Sequence, residues 1–265
     1  MRWVEIMVNV NLYSKDGSIS GKIELPDVFS EEVREDLIRR AVLSEESELL
    51  QPKGTFKRAG MQTTARYVGR KDAYHSLKNR GIAKLPRELY PKGRIGRVRV
   101  VPWSVKGRRA HPPKVEKIIV ERINKREKKK ALISAISATA KKELVGKKHI
   151  LPKVEIPVVF DDSCSSLSKT KDIVKLFEQL ELLNDVERAK SKRRPNNGRK
   201  GGVKTPHSVL LVIDKEENLM KAAKNLPGVS VAKVDALKVS DLAPGGVPGR
   251  LTVWTKSAIS KLSSL

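Results

Sequence analysis

A chain of 265 residues with 55 Lys and Arg against 30 Asp and Glu carries a formal charge of +25 at pH 7. Charge of that size repels itself in a compact state and attracts a polyanion, either nucleic acid or an acidic membrane surface. The lone cysteine, Cys164, excludes an intramolecular disulfide and a zinc finger, and no run reaches the roughly 18 apolar residues of a membrane-spanning helix.

The N-terminal stretch MRWVEIMVNVNLYSKDG is polar and alternating, unlike a signal sequence or anchor, so a soluble cytosolic protein is expected. Val4, Ile6, Val8, Val10 and Leu12 alternate with Glu5, Asn9 and Asn11, which predicts a half-buried strand. Ser14 to Gly17 is a turn signal, and SGKIEL returns as a second strand. PDVFSEEVREDLIRRAVLSEESELL predicts a helix with Ser30 as N-cap and Glu31 and Glu32 in the dipole-favoured first turn. Val33, Leu37, Ile38 and Ala41 form its apolar stripe.

From Gln51 to His111 the periodicity stops. Seventeen Lys and Arg face two acids, Asp72 and Glu88, which puts more than half of the net charge in this stretch. Low apolar content and high charge keep such a segment from folding alone, so a long structureless basic loop is expected. Periodicity resumes in PPKVEKIIVERINKREKKKALISAISATAKKELV, where Val115, Ile119 and Ile123, then Leu132, Ile136, Ala140 and Leu144, recur every four residues as on one helix face. The NKREKKK in its middle reads as a solvated or RNA-facing turn.

The C-terminal half alternates strand and helix. IPVVFDD, HSVLLVID, GVSVAKV and GRLTVWT are strand candidates, separated by SLSKTKDIVKLFEQLELL, EENLMKAAKNL and a helix starting near Asp235, with KSAISKLSSL as the closing helix. That alternation predicts an α/β fold, a mostly parallel sheet with helices on its faces. The long extended basic loop is inserted between the first two long helices. The expected organisation is one globular domain from residues 1–50 and 112–265, an RNA-penetrating loop over 51–111, and a second acid-free basic insertion over 190–205.

A catalytic site is harder to find. GRKGGVKT resembles a phosphate-binding loop, but Val203 stands where a glycine is needed before Lys204, and a strand follows rather than a helix. APGGVPGRLT lacks dinucleotide spacing. Asp161 and Asp162 end a strand, where a cation or acid–base pair could sit; strand end and helix cap is the better reading. Cys164 has no histidine partner, and His75, His111, His149 and His207 are scattered, so neither a metal nor a cofactor is expected.

The basic segments fit RNA better. Arg94, Arg97, Arg99, Arg108 and Arg109 offer bidentate phosphate contact, and Tyr67, Tyr74, Tyr90 and Trp103 supply stacking surfaces between the charges. The RNA-binding candidates are Lys53, Lys57, Arg58, Arg66, Tyr67, Arg70, Lys71, Arg80, Lys92, Arg94, Arg97, Arg99, Trp103, Lys106, Arg108, Arg109, His111 and Lys114. From the second insertion they include Lys192, Arg193, Arg194, Arg199, Lys200 and Lys204. No helix-turn-helix or basic zipper points to DNA. An RNA-modifying enzyme with a pocket near Asp161, or a basic adaptor for acidic proteins or membranes, are the competing readings.

LIRRAVLSEESELLQPKGT, AGMQTTAR, GRRAHPPKVEKIIVERINKREKKKALISAISATA and LAPGGVPGRLTVWTKSAI resemble the archaeal and eukaryotic branch of the large-subunit ribosomal protein L four family. The resemblance covers nearly the whole chain, apart from YHSLKNRGIAKLPRELYP in the middle of the basic loop. It implies a structural, non-enzymatic protein with a globular α/β domain on the large subunit and a loop threaded into ribosomal RNA. It also implies a loop reaching the wall of the polypeptide exit tunnel near the nascent polypeptide, neighbouring ribosomal proteins as partners, a role in subunit assembly, and no membrane.

Overall fold

A computed structural model describes residues 9–74, 76–91, 94–198, 201–215 and 218–263. Val4, Ile6 and Val8 of the first expected strand therefore lie outside the described residues. By internal contact the chain divides into a body, the chain up to Leu49 with Val120 onward, and an insertion, Leu50–Ile119.

In chain order the body opens with β1 (Asn9–Tyr13), β2 (Ile19–Glu24) and α1 (Glu35–Glu48). The insertion holds β3 (Ala65–Arg66), β4 (Arg87–Leu89) and β5 (Ile95–Val98). The body continues with α2 (Lys125–Ala140), α3 (Lys142–Gly146), β6 (Val158–Phe160), α4 (Thr170–Gln179) and α5 (Leu183–Ser191). A hairpin of β7 (Arg194–Pro195) and β8 (Val203–Lys204) leads to β9 (Leu210–Ile213), α6 (Asn218–Lys224) and β10 (Ser230–Lys233). Last come α7 (Val239–Leu242), β11 (Thr252–Thr255) and α8 (Lys256–Leu262).

Six strands form one sheet in the order β10-β9-β11-β6-β1-β2. Only β1 and β2 are antiparallel, as their short turn requires; the other neighbours are parallel. The continuous apolar runs follow from burial on both faces. Val159, Val212 and Trp254 point into a core with residues of α1, α2 and α8. Their neighbours Val158, Phe160, Leu211 and Val253 point into a second core with α4, α5 and α6. The expected mostly parallel sheet with helices on its faces is therefore present.

Several local expectations give way to tertiary hydrogen bonds. Ser30 does not cap α1; it follows a 3-10 turn over Asp27–Phe29. The α2 serines explain this: Ser137 Oγ donates to the Glu31 carbonyl, Ser134 Oγ donates to that of Glu32, and the Arg34 N–H donates to Ser134 Oγ. Backbone groups bound to α2 are withdrawn from a helical ladder, so α1 starts at Glu35.

The helical stripe expected over 115–123 is not helical either. Glu121 is clamped by α1: Ser44 Oγ donates to its carbonyl at 2.6 Å, and its N–H donates to Ser47 Oγ at 2.9 Å. With both backbone groups committed outside the segment, a helix there would lose bonds rather than gain them. NKREKKK is not a turn: Asn124 is the N-cap of α2, and Lys125 to Lys130 form its first turns. Helix α5 was not expected; Glu181, at φ 58°, breaks the chain between it and α4.

The 51–111 stretch is not structureless. β3, β4 and β5 make a small antiparallel sheet in which Ala65 opposes Glu88 and Leu89 opposes Ile95. Arg99 Nε donates to Glu88 Oε1 at 2.7 Å, and the Tyr90 hydroxyl to Oε2 at 2.9 Å, so one acid ties the sheet to its return strand. Ala65, Leu77 and Val101 are its buried apolar residues. The second basic segment likewise closes into a hairpin, Arg194 opposite Lys204.

Candidate nucleic-acid interface

The insertion presents its charge outward. Lys53, Lys57, Arg58, Arg66, Arg70, Lys71, Arg80, Arg94, Arg97, Arg99, Lys106, Arg108, Arg109, His111 and Lys114 are all exposed, as are Lys192, Arg193, Arg194 and Lys204 on the body's hairpin. Lys92, Arg199 and Lys200 lie outside the described residues. Of the exposed group, Arg99 is the one held in an ion pair among the described residues, with Glu88. Hydrogen bonds from Arg99 and from Tyr90 hold the Glu88 carboxyl below its usual range.

Aromatic rings stand among these charges. Trp103 is 80% exposed and Tyr67 48%. Phe56, 62% exposed and followed by Lys57 and Arg58, belongs with them. Sequence reasoning missed it, although its basic neighbours are the same signal that singled out the other two.

At the base of the insertion the outgoing limb, Gly54–Met61, runs beside the returning limb, Gly107–Glu116. The Thr55 N–H donates to the Pro113 carbonyl at 3.3 Å, and Arg108 Nη1 lies 3.0 Å from Met61 Sδ. Gly60 sits at φ 75°, and a Cβ there would come within 2.7 Å of Arg108 Cα, so only glycine permits this approach. Between the limbs lies a cleft of about 690 Å³, lined by Phe56, Lys57, Arg108, Arg109 and Lys114, with Glu116 as its only acid.

The competing chemical sites are occupied by structural work. Asp162 does not cap the turn that follows it; its Oδ1 accepts the Ser257 N–H at 3.0 Å in the first turn of α8. The Asp161 N–H donates to the Tyr13 carbonyl, extending the β1–β6 pairing. Cys164 is fully buried, and burial pushes its thiol up to about 11, far from a reactive thiolate. The stretch containing Lys204 turns into β8 and then β9, not into a helix N-terminus. Buried Asp185 accepts from His149 Nδ1 at 3.0 Å, from the Ile150 N–H at 3.0 Å, and from Arg188 Nε at 2.8 Å and Nη2 at 3.3 Å, two bonds to each oxygen. Among the described residues, no group of three or more His, Cys, Asp and Glu could hold a metal ion, and no helix is long and apolar enough to cross a membrane.

Comparison with known proteins places the chain among named relatives. Large ribosomal subunit protein uL4 of Methanocaldococcus jannaschii is 45% identical over 256 residues, covering 95% of this chain and 96% of its own. The uL4 of Methanococcoides burtonii is 43% identical over 263 residues, 98% of this chain and 99% of its own. That of Archaeoglobus fulgidus is 45% identical over 251 residues, 93% and 94% respectively. The model of the ribosomal protein L4/L1 family matches residues 23–265, and the chain belongs to that family.

Proposed function

We propose that the protein is a structural constituent of the large ribosomal subunit in the cytoplasm, not an enzyme, and that it binds ribosomal RNA through the insertion and the hairpin at 190–205. One observation carries the reading: in a member of this family, the candidate cations described in the insertion stand exposed, and among the described residues only Arg99 of them is held in an ion pair. Fields of that kind are neutralised by phosphates, and the exposed rings among them offer stacking faces to unpaired bases. The insertion acts as a loop that penetrates folded RNA and reaches the wall of the polypeptide exit tunnel beside the nascent chain. Neighbouring large-subunit proteins pack around it, and its binding supports subunit assembly.

The test is the salt dependence of binding to large-subunit RNA. Wild type should lose affinity linearly in log–log form as salt rises, and Arg94→Ala with Arg97→Ala should flatten that slope by roughly one unit per residue removed. A wild-type slope near zero would overturn the reading.

A further inference from the structure

We propose that the cleft at the base of the insertion receives one unpaired nucleotide of an RNA, its base against Phe56 and its flanking phosphates on Lys57, Arg108, Arg109 and Lys114. The proposal rests on the RNA-binding reading above and adds to it a site with a defined occupant. About 690 Å³ falls within the range of cavities that enclose a small ligand, and it is far too little for a duplex. Four cations against Glu116 make the cleft anionophilic, and both limbs contribute: Lys57 from one, Arg108, Arg109 and Lys114 from the other. A flat aromatic face within a cationic cleft matches a nucleotide, which carries a stacking plane and a phosphate a few ångströms apart. Gly54 and Gly60 line the cleft where the two limbs pack closest, a Cβ on them coming within 2.8 Å of Val115 and 2.7 Å of Arg108, so the limbs that frame the cleft are held together. In A-form RNA the paired bases are closed to side chains, so the base that enters must already be splayed out of its helix. Occupancy would bridge the two limbs.

Two blunt RNA duplexes of one sequence test this, one fully paired and one carrying a single bulged nucleotide, titrated against the full-length protein at fixed salt. Wild type should bind the bulged duplex about tenfold more tightly, the contribution of one stacked base. Phe56→Ala should bring that ratio close to one with the salt slope unchanged, and Phe56→Tyr should keep it; Phe56 is exposed enough that neither change threatens the fold. A 5-iodouridine at the bulge should crosslink to residues 54–60 or 107–116. A wild-type ratio near one, a ratio that survives Phe56→Ala, or a crosslink elsewhere would each overturn the proposal. If neither duplex binds at any salt, the RNA-binding reading itself falls, and the cleft proposal with it.

Discussion

The body and the insertion handle charge and apolar surface in opposite ways. In the body, ion pairs tie several cations to acids of other elements: Lys128 to Glu45, Arg40 to Glu127, and Lys261 to both Asp214 and Asp235, with Arg188 held by Asp185 one turn away. Its large apolar side chains fill two cores, one on each face of the sheet. Among its described residues the insertion has one internal pair, Arg99 with Glu88, and it exposes Phe56, Tyr67, Trp103, Val105 and Ile118 around a small buried set. The body is therefore stabilised by its own contacts. The insertion leaves charge and apolar area to be matched by a partner, as expected of a surface made to be covered.

The strongest way to break that comparison is to damage each core in turn. Trp254 is fully buried on β11, its ring edge-on to Phe29 at 5.4 Å and 84°. Trp254→Ala should cost about 3–5 kcal/mol in urea unfolding, the range for deleting a large buried aromatic side chain. Leu77→Ala, at the buried centre of the insertion, should leave the midpoint of the main transition nearly in place. Equal losses from the two variants would mean one cooperative unit, and the contrast between the regions would fail.

Acid separates them next. Burial raises the Asp185 carboxyl, but hydrogen bonds from His149 and Arg188 outweigh it and hold the group at about 2. A folded pKa below the unfolded value of about 3.9 contributes stability that is complete above the unfolded value and is lost as pH falls toward 2. The linkage relation puts that contribution at about 2–3 kcal/mol. Wild type should therefore exceed Asp185→Asn in melting temperature above about pH 4, and the gap should close between pH 4 and 2. Acid should therefore weaken the body through this buried carboxylate. A gap that stays constant to pH 2 would show Asp185 acting through packing alone.

How much of this was legible in the sequence follows from the range of the interactions. The central strands were readable because two-sided burial demands unbroken apolar runs such as VVF at 158–160 and LLVI at 210–213. The overall charge and its concentration in the insertion were readable because they are sums. The start of α1 and the extended stretch around Glu121 were not. They are set by single serine hydroxyls on another helix, Ser134 and Ser137 in one case, Ser44 and Ser47 in the other. The small sheet of the insertion escaped because strands of two to four residues are too short for a period to show. The cleft escaped for a related reason: Phe56 and Arg109 are distant in sequence, and only the paired limbs bring them to one cleft.

The finest test concerns the single acid that makes the insertion resemble the body. Glu88 holds Arg99 through Oε1 and the Tyr90 hydroxyl through Oε2, so among the described candidates this arginine is the one already paired with an acid. Glu88→Gln keeps the shape and removes the charge, which frees Arg99 for phosphate and deletes a local repulsion toward RNA. The salt slope of RNA binding should steepen by about 0.7–0.9 unit, the yield of one added phosphate contact. That change is small beside the effects above, but its sign is decisive. A steeper slope places Arg99 on the RNA-facing side with its neighbours. An unchanged slope would assign the Arg99–Glu88 pair to internal structure, making that corner of the insertion a miniature of the body.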